Sequence, residues 1–322
     1  MTAGIDRVVN IRRGGNGNLA VIEMEHLRKY YGKSRGIEDV TLRVEEGDIF
    51  GFIGPNGAGK STTIRTLLNY IFPTGGTAKI FGLDVVEDSA KIRADVGYLP
   101  GEVGYYDDMS AEALLQYSAG FYPGGYREHR ARTNELLDIF ELDRHRKIHA
   151  LSMGNRKKVG IIQALLHRPR LLILDEPTSG LDPLMQTRLF EVLAGENQRG
   201  VTIFFSSHVL SEVQRFCHRV AIIKEGSILR VEDMDKLRHG LFLKAKVVFR
   251  REGEGEAQAK VLDLPGVVHR ATDGRTVEVL FNGDVNDLVR RLAGHDLESV
   301  WLEEPPLEEV FLHYYEKEGR QQ

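Results

Sequence analysis

The chain has 322 residues, enough for one large α/β domain with a small one, or for two domains of medium size. Its 42% hydrophobic and 28% charged residues are the balance of a soluble globular protein, and a formal net charge of −4 leaves no overall basic field to attract nucleic acid. The single cysteine, Cys217, excludes an internal disulfide, and no apolar run approaches the roughly 18–20 residues that span a bilayer, so any membrane role runs through a partner chain.

In chain order, residues 1–20 are rich in Gly, Asn and Arg, lack periodicity, and read as a disordered leader or upstream extension. Short apolar runs follow at 21–24, 40–44 and 49–53. The last is continuous and ends in a Gly-rich turn, the pattern of a buried strand in a mainly parallel sheet. A helix is expected from near Gly59 through Ile64, Leu67 and Leu68, and Ile80, Val96 and Tyr98 mark further strands. From about 110 to 168 three stretches with helical spacing (111–122, 127–140 and 155–167) have no strand between them, which predicts a helical insert. Strands and helices then alternate again (171–174, 183–193, 201–205, 209–216 and 220–223), as in a layered α/β domain, here placed at 21–238. Near Gly240 the pattern changes. Alternating runs at 244–249, 267–272 and 277–281, a turn at Asp273-Gly274, a helix at 284–292, a strand at 298–302 and a short helix after Pro305-Pro306 predict a small α+β domain over 241–318.

Gly54-Pro55-Asn56-Gly57-Ala58-Gly59-Lys60-Ser61 matches G-x-x-x-x-G-K-[ST], with a strand feeding it and a helix, which carries Thr62 in its first turn, leaving it. The glycines let backbone N–H groups curl around phosphate oxygens, and the helix start adds partial positive charge. Lys60 can reach the β- and γ-phosphates of a nucleotide, and Ser61 can place its hydroxyl on Mg²⁺. Leu171-Leu172-Ile173-Leu174-Asp175-Glu176 delivers two carboxylates to the end of an apolar strand, where ligands bind in parallel sheets. Asp175 suits a Mg²⁺ shell, directly or through water, and Glu176 is placed to polarise an attacking water. A lone Cys217-His218 pair has no third partner for nucleophilic chemistry, and the short basic clusters at 156–158 and 290–291 read as solvated helix faces.

Leu151-Ser152-Met153-Gly154-Asn155, about 20 residues before Asp175, resembles the signature motif of the ABC ATPases, and Ser179-Gly180-Leu181-Asp182 is similar to their D-loop. His208 matches the switch histidine and Tyr31 the aromatic that stacks on adenine, so the resemblance covers about residues 21–235. It implies a P-loop NTPase core of the ABC type with a helical insert, plus a small C-terminal accessory domain that serves as a stability cap or in dimer contact and regulation. It also implies ATP and Mg²⁺ as cofactors, with His208 against the γ-phosphate and Asp182 at the nucleotide interface. The physical logic agrees: the phosphate loop leaves one face of the γ-phosphate open, and a helix N-terminus at Gly154 with the Ser152 hydroxyl can cover that face only from a second subunit. The implied assembly is a head-to-tail homodimer, or a pair with another ABC ATPase subunit, docked on a separate transmembrane permease at the cytoplasmic face of the plasma membrane.

Two departures narrow the likeness. Met153 and Asn155 replace a Gly and a Gln of the usual signature, and Gly101 stands where the Q-loop has its Gln, leaving Glu102 as the candidate for that role at the metal. The Tyr98-Leu99-Pro100-Gly101-Glu102 form, the altered signature and the ending Pro306-Leu307-Glu308-Glu309-Val310-Phe311-Leu312 resemble ATPase subunits of bacterial drug- and antibiotic-type exporters. The competing reading, a soluble ABC ATPase acting on ribosomes or DNA, calls for two cassettes or long coiled coils, and the chain has one cassette and no sustained heptads.

Overall fold

The computed structural model describes residues 20–234, 243–250 and 260–303. A ten-stranded sheet carries most of the chain, in the order β5-β4-β1-β2-β10-β9-β3-β8-β7-β6. Its centre is parallel. Strand β3 (Ile49–Ile53) pairs with β8 (Thr202–Ser207) and β9 (Arg219–Lys224), and β7 (Leu171–Asp175) lies between β8 and β6 (Val96–Leu99). Every residue of β3, β7 and β8 is buried, which explains their continuous apolar runs: both faces of the sheet are covered.

The pleat divides these strands between two cores. Phe50 and Phe52 of β3, Leu171 and Ile173 of β7 and Phe204 of β8 face helix α1 (Lys60–Leu67), where Ile64 and Leu67 meet them. Ile49, Ile53, Leu172, Leu174, Ile203 and Phe205 face the other way, toward the insert and the helices that follow it. Each fully buried Phe or Leu contributes about 1.5–3 kcal/mol to stability.

The N-terminal strands depart from the expected parallel pattern. β1 (Ala20–Tyr31) and β2 (Ser34–Glu45) form an antiparallel hairpin closed at Gly32, whose φ of 62° is the left-handed backbone such a turn needs. β4 (Gly75–Ile80) continues the antiparallel order on β1, and β5 (Leu83–Asp84) extends it. β10 (Ser227–Asp233), which no apolar run announces, folds back on β9 through a turn at Glu225-Gly226 with both φ positive, and joins the two halves of the sheet at Ser227–Asp39.

The short helix α2 (Ser89–Ala94) leads into β6. The insert then contains α3 (Ala111–Ala119), α4 (Gly125–Ile139) and α5 (Met153–Leu165). Ser110 and Ser152 cap α3 and α5 by accepting from Ala113 N and Asn155 N, so both starts carry their own punctuation. α5 lies tight on the sheet: a Cβ on Gly97 of β6 would fall 2.1 Å from the Ala164 carbonyl oxygen. A buried ion pair, Arg132 with Glu196, ties α4 to α6 (Pro183–Gln198), and Glu135 and Arg199 complete it at 3.0 and 2.6 Å. α7 (Leu210–Phe216) returns the chain to β9.

The second sheet has four antiparallel strands in the order β12-β13-β11-β14. β11 (Leu243–Phe249), β12 (Val267–Asp273), β13 (Thr276–Phe281) and β14 (Leu297–Glu303) cover one side with helix α8 (Val285–Leu292), through Leu288 and Leu292 on Ala245, Val247, Val277 and Val279. Asp284 caps α8 on Asn286 N, and the hairpin turn falls at Gly274-Arg275. The expected break at 239–240, the final helix after Pro305-Pro306 and residues 1–19 of the leader lie outside the described residues.

Removing one partner of a buried ion pair strands the other, whereas replacing both with apolar groups is often neutral. Arg132→Met alone is therefore expected to cost about 3 kcal/mol, and Arg132→Met/Glu196→Met much less. Urea unfolding of the parent, both single variants and the double checks this; additive losses would contradict it.

Candidate functional site

The loop after β3 is shaped by glycine. Gly57 and Gly59 have φ of 80° and 108°, and a Cβ on Gly54 would fall 2.2 Å from the Ile223 carbonyl oxygen of β9. The loop thus presses against β9 while its outer residues, Pro55, Asn56 and Gly57, stay exposed, and Ala58 is buried beneath. Gly59 opens α1 without a side-chain cap, so the first N–H groups of the helix, at the turn holding Ser61 and Thr62, are turned to the loop with the positive end of the dipole.

Lys60 folds back under the loop. Its Nζ donates to the carbonyls of Gly54 at 2.7 Å and Pro55 at 3.3 Å and lies 3.7 Å from Glu176 Oε1, with the residue only 5% exposed. Burial pushes its ammonium below the usual lysine range, and Glu176 and Asp175 oppose that shift.

The carboxylates are set by β7 and its neighbour. Asp175 pairs in register with Ser206 of β8, whose buried hydroxyl donates to Asp175 Oδ1 at 2.6 Å. The Glu176 N–H donates to the Ser206 carbonyl at 3.1 Å and contacts its Oγ at 3.3 Å. These bonds hold Glu176 at a φ of 47°, a left-handed conformation that costs a non-glycine residue about 1 kcal/mol and that clusters at functional sites. His208 Nδ1 lies 3.0 Å from Glu176 Oε1, the same oxygen that faces Lys60. A carboxylate so placed, with a cation on one side and a half-exposed imidazole on the other, can take up a proton from a water while its neighbours hold its charge.

The remaining candidates are distributed differently. Tyr31 is half-exposed and its ring edges Gly36 beside Thr62: a Cβ on Gly36 would lie 3.0 Å from Tyr31 Cε2 and 2.9 Å from Thr62 Cγ2. Ser152 caps α5, Asp182 caps α6 on Met185 N at 3.0 Å, and Gly154 approaches the Gly180 carbonyl so closely that a Cβ would fall 2.7 Å from it. These three cluster where α5 meets the 179–182 loop, and share no hydrogen bond or ion pair with Lys60, Glu176 or His208 among the described residues. Met153, next to the cap, is 70% exposed.

Glu102 is not brought to Asp175. Its side chain is exposed, and the backbone of Gly101 faces the carboxylate instead, with a Cβ there falling 3.5 Å from Asp175 Oδ2. Ser206 went unsingled in the sequence, signalled only by two serines closing an apolar strand. The cluster at 156–158 is not a uniformly solvated helix face: Lys157 lies on the inner face of α5 and is buried. Cys217 is packed in the core against Gly51, and the adjoining His218 ring bonds the Ile49 N–H at 3.3 Å.

Residues 37–179 match the ABC transporter family. The chain is 40% identical over 223 residues to the bacitracin transport ATP-binding protein of Bacillus licheniformis, covering 68% of this chain and 71% of that one. It is 31% identical over 300 residues to a daunorubicin resistance ATP-binding protein of Streptomyces coeruleorubidus, covering 91% of this chain and 95% of that one. Among solved structures, a bacterial ABC transporter cassette determined as a dimer superposes with a TM-score of 0.62 at 26% identity, over 66% of this chain and 98% of the cassette. The chain belongs to the ABC transporter family, as one of its ATP-binding, ATP-hydrolysing subunits, and these relatives favour that reading over a ribosome- or DNA-acting ATPase.

Because Asp175 is 2% exposed and accepts from Ser206, loss of that hydroxyl leaves a buried carboxylate short of a donor. Ser206→Ala is expected to cost about 1.5–3 kcal/mol of folding stability, and Ser206→Thr to recover most of it. Denaturant midpoints measure this; equal midpoints for Ser206→Ala and the parent would contradict the assignment.

Proposed function

We propose that this subunit works in a head-to-tail pair, in which the phosphate loop of each copy and the Ser152–Gly154 surface of the other enclose one ATP. The observation that carries the reading is the division described above: Lys60 and His208 converge on one carboxylate oxygen of Glu176, while Ser152 and Gly154 at the α5 N-terminus share no hydrogen bond or ion pair with them among the described residues. A single copy therefore presents both halves of a nucleotide site without joining them.

Within that frame, the loop from Gly54 through Thr62 binds the phosphates, Lys60 turns from the loop carbonyls to the β- and γ-phosphates, and Tyr31 lies under the adenine. The donor set fits Mg²⁺: Asp175 keeps Oδ2 free of the Ser206 bond, and the Ser61 hydroxyl sits in the first turn of α1. Ser61 and Asp175 would hold Mg²⁺, which when bound would supply charge neutralisation at the β- and γ-phosphates. Glu176 orients a water for in-line attack on the γ-phosphorus. The new bond runs from the water oxygen to phosphorus, the bond to the β,γ-bridging oxygen breaks, and ADP leaves with that electron pair. His208, bonded to Glu176, contacts the γ-phosphate and reports its presence.

No helix among the described residues is long and apolar enough to cross a membrane. We assign the transmembrane path to a separate permease, which places the subunit at the cytoplasmic face of the plasma membrane. ATP-driven closure of the pair and its reopening after hydrolysis are transmitted to that permease. The likeness to the bacitracin transport and daunorubicin resistance ATP-binding proteins supports export of an antibiotic-type compound.

Glu176→Gln keeps shape and removes the carboxylate's charge. Turnover is expected to fall by about a hundredfold or more, while ATP binding persists and the variant elutes as an ATP-stabilised dimer in size-exclusion chromatography. Turnover equal to the parent would remove Glu176 from its role.

A further inference from the structure

Lys60 and Lys157 are the two buried lysines among the described residues, and only Lys60 belongs to the phosphate loop. Lys157 is 3% exposed, on the buried face of α5, and its two hydrogen bonds go to main-chain carbonyls. Its Nζ donates to the main-chain carbonyls of Pro100 at 3.2 Å and Gly101 at 3.1 Å. Gly101 is the residue whose α-carbon faces Asp175. Three residues further along the same face of α5, Gly160 has no side chain because the 99–105 segment lies flat upon it: a Cβ there would fall 2.5 Å from the Tyr105 hydroxyl and 2.7 Å from Leu99 Cδ1.

We propose that Lys157 is a positioning residue that fastens α5, and with it the Ser152–Gly154 surface, to the Pro100–Gly101 turn beside Asp175. The inference rests on the two-subunit reading for its purpose and on the contacts of Lys157 for its geometry. A hydrogen bond to a carbonyl fixes the peptide plane that carries it, so two such bonds fix the turn as well as the lysine. α5 is a rigid rod, and Gly154 precedes Lys157 by three residues, about 4.5 Å of helix. Whatever shifts the turn next to the metal-side carboxylate therefore tilts the surface that the partner's nucleotide meets. The charges of Asp175 and Glu176 also favour the Lys157 ammonium, against a burial that pushes it down to about 8, so the lysine is bound electrostatically to the same carboxylates.

Lys157→Met keeps the aliphatic stem and removes the charge, and Lys157→Arg keeps the charge. Lys157→Met leaves the Pro100 and Gly101 carbonyls without their donor and the nearby carboxylates short of a cation, so the unfolding midpoint is expected to fall, with Lys157→Arg recovering part of it. A merely structural lysine would move that midpoint and leave the two readouts that follow unchanged. Hydrogen exchange of the nucleotide-free chain is expected to rise about tenfold in Lys157→Met, in peptides covering 101–105 and 153–158 together, with Lys157→Arg restoring part of the protection. In a Glu176→Gln background, Lys157→Met is expected to weaken the ATP-stabilised dimer about tenfold while leaving ATP binding by the single copy unchanged. Unchanged exchange in 153–158, or a dimer as tight as that of Glu176→Gln alone, would overturn the proposal. If Glu176→Gln itself forms no dimer, the two-subunit reading falls, and the exchange measurement still decides whether Lys157 joins the turn to α5.

Discussion

Charge buried at the C-terminal edge of the parallel strands has to be balanced, and the arrangement around the loop follows from that requirement. An ammonium or carboxylate removed from water costs several kcal/mol unless opposite charge and hydrogen bonds replace the water. Here Lys60 and Lys157 stand against Asp175 and Glu176, and the strand ends supply the remaining partners. Lys60 takes the carbonyls of Gly54 and Pro55, which is possible only because the loop curls at Gly57 and Gly59. Asp175 takes the Ser206 hydroxyl, and the Ser206 carbonyl takes the Glu176 N–H and holds that residue in its left-handed conformation. An incoming triphosphate, rich in acceptors, can replace the carbonyls at Lys60 without reorganising the sheet.

The same edge is connected to the outer surface through the insert. α5 is pressed on β6 at Gly97, on the 99–105 segment at Gly160, and on the 179–182 loop at Gly154, three places where only glycine allows the approach. The Arg132–Glu196 pair anchors the neighbouring helix to α6, which itself begins at Asp182. The Ser152 cap and the Asp182 cap are thus held by elements that reach back to Asp175 and Glu176. This gives the resemblance to transport ATPases a mechanical content, since the surface offered to a second copy and the carboxylates of the first copy belong to one packed unit.

Much of this was legible from contiguous residues. The loop at 54–61 and the strand ending in Asp175-Glu176 each carry their chemistry in one stretch, and the parallel strands β3, β7 and β8 read directly as unbroken apolar runs because both faces are buried. β1 was harder to read as part of an antiparallel layer. Its register shifts between Met24 and Leu27, where His26 has a φ of 48°, so its alternation is broken midway. β10 carries no fully buried residue and is held by its turn and by β9. Ser206 and Lys157 act through partners 31 and 56–57 residues away, which no local pattern encodes. Glu102 was the candidate for the Q-loop role because it follows Gly101, which stands where the resemblance expects a Gln. The fold turns the adjacent backbone inward instead, and places a lysine from α5 against it.

The central claim is that a working site is composed from two copies. The most direct test mixes two chains that are each inactive: Lys60→Met, which spoils the phosphate loop, and Ser152→Asp, which keeps a cap on α5 but sets a carboxylate on the exposed opposing surface. In a mixed head-to-tail dimer one site carries both lesions and the other carries neither. ATP turnover measured on the mixture is therefore predicted to rise well above the sum of the two separate chains. A mixture no more active than that sum would contradict a site shared between subunits.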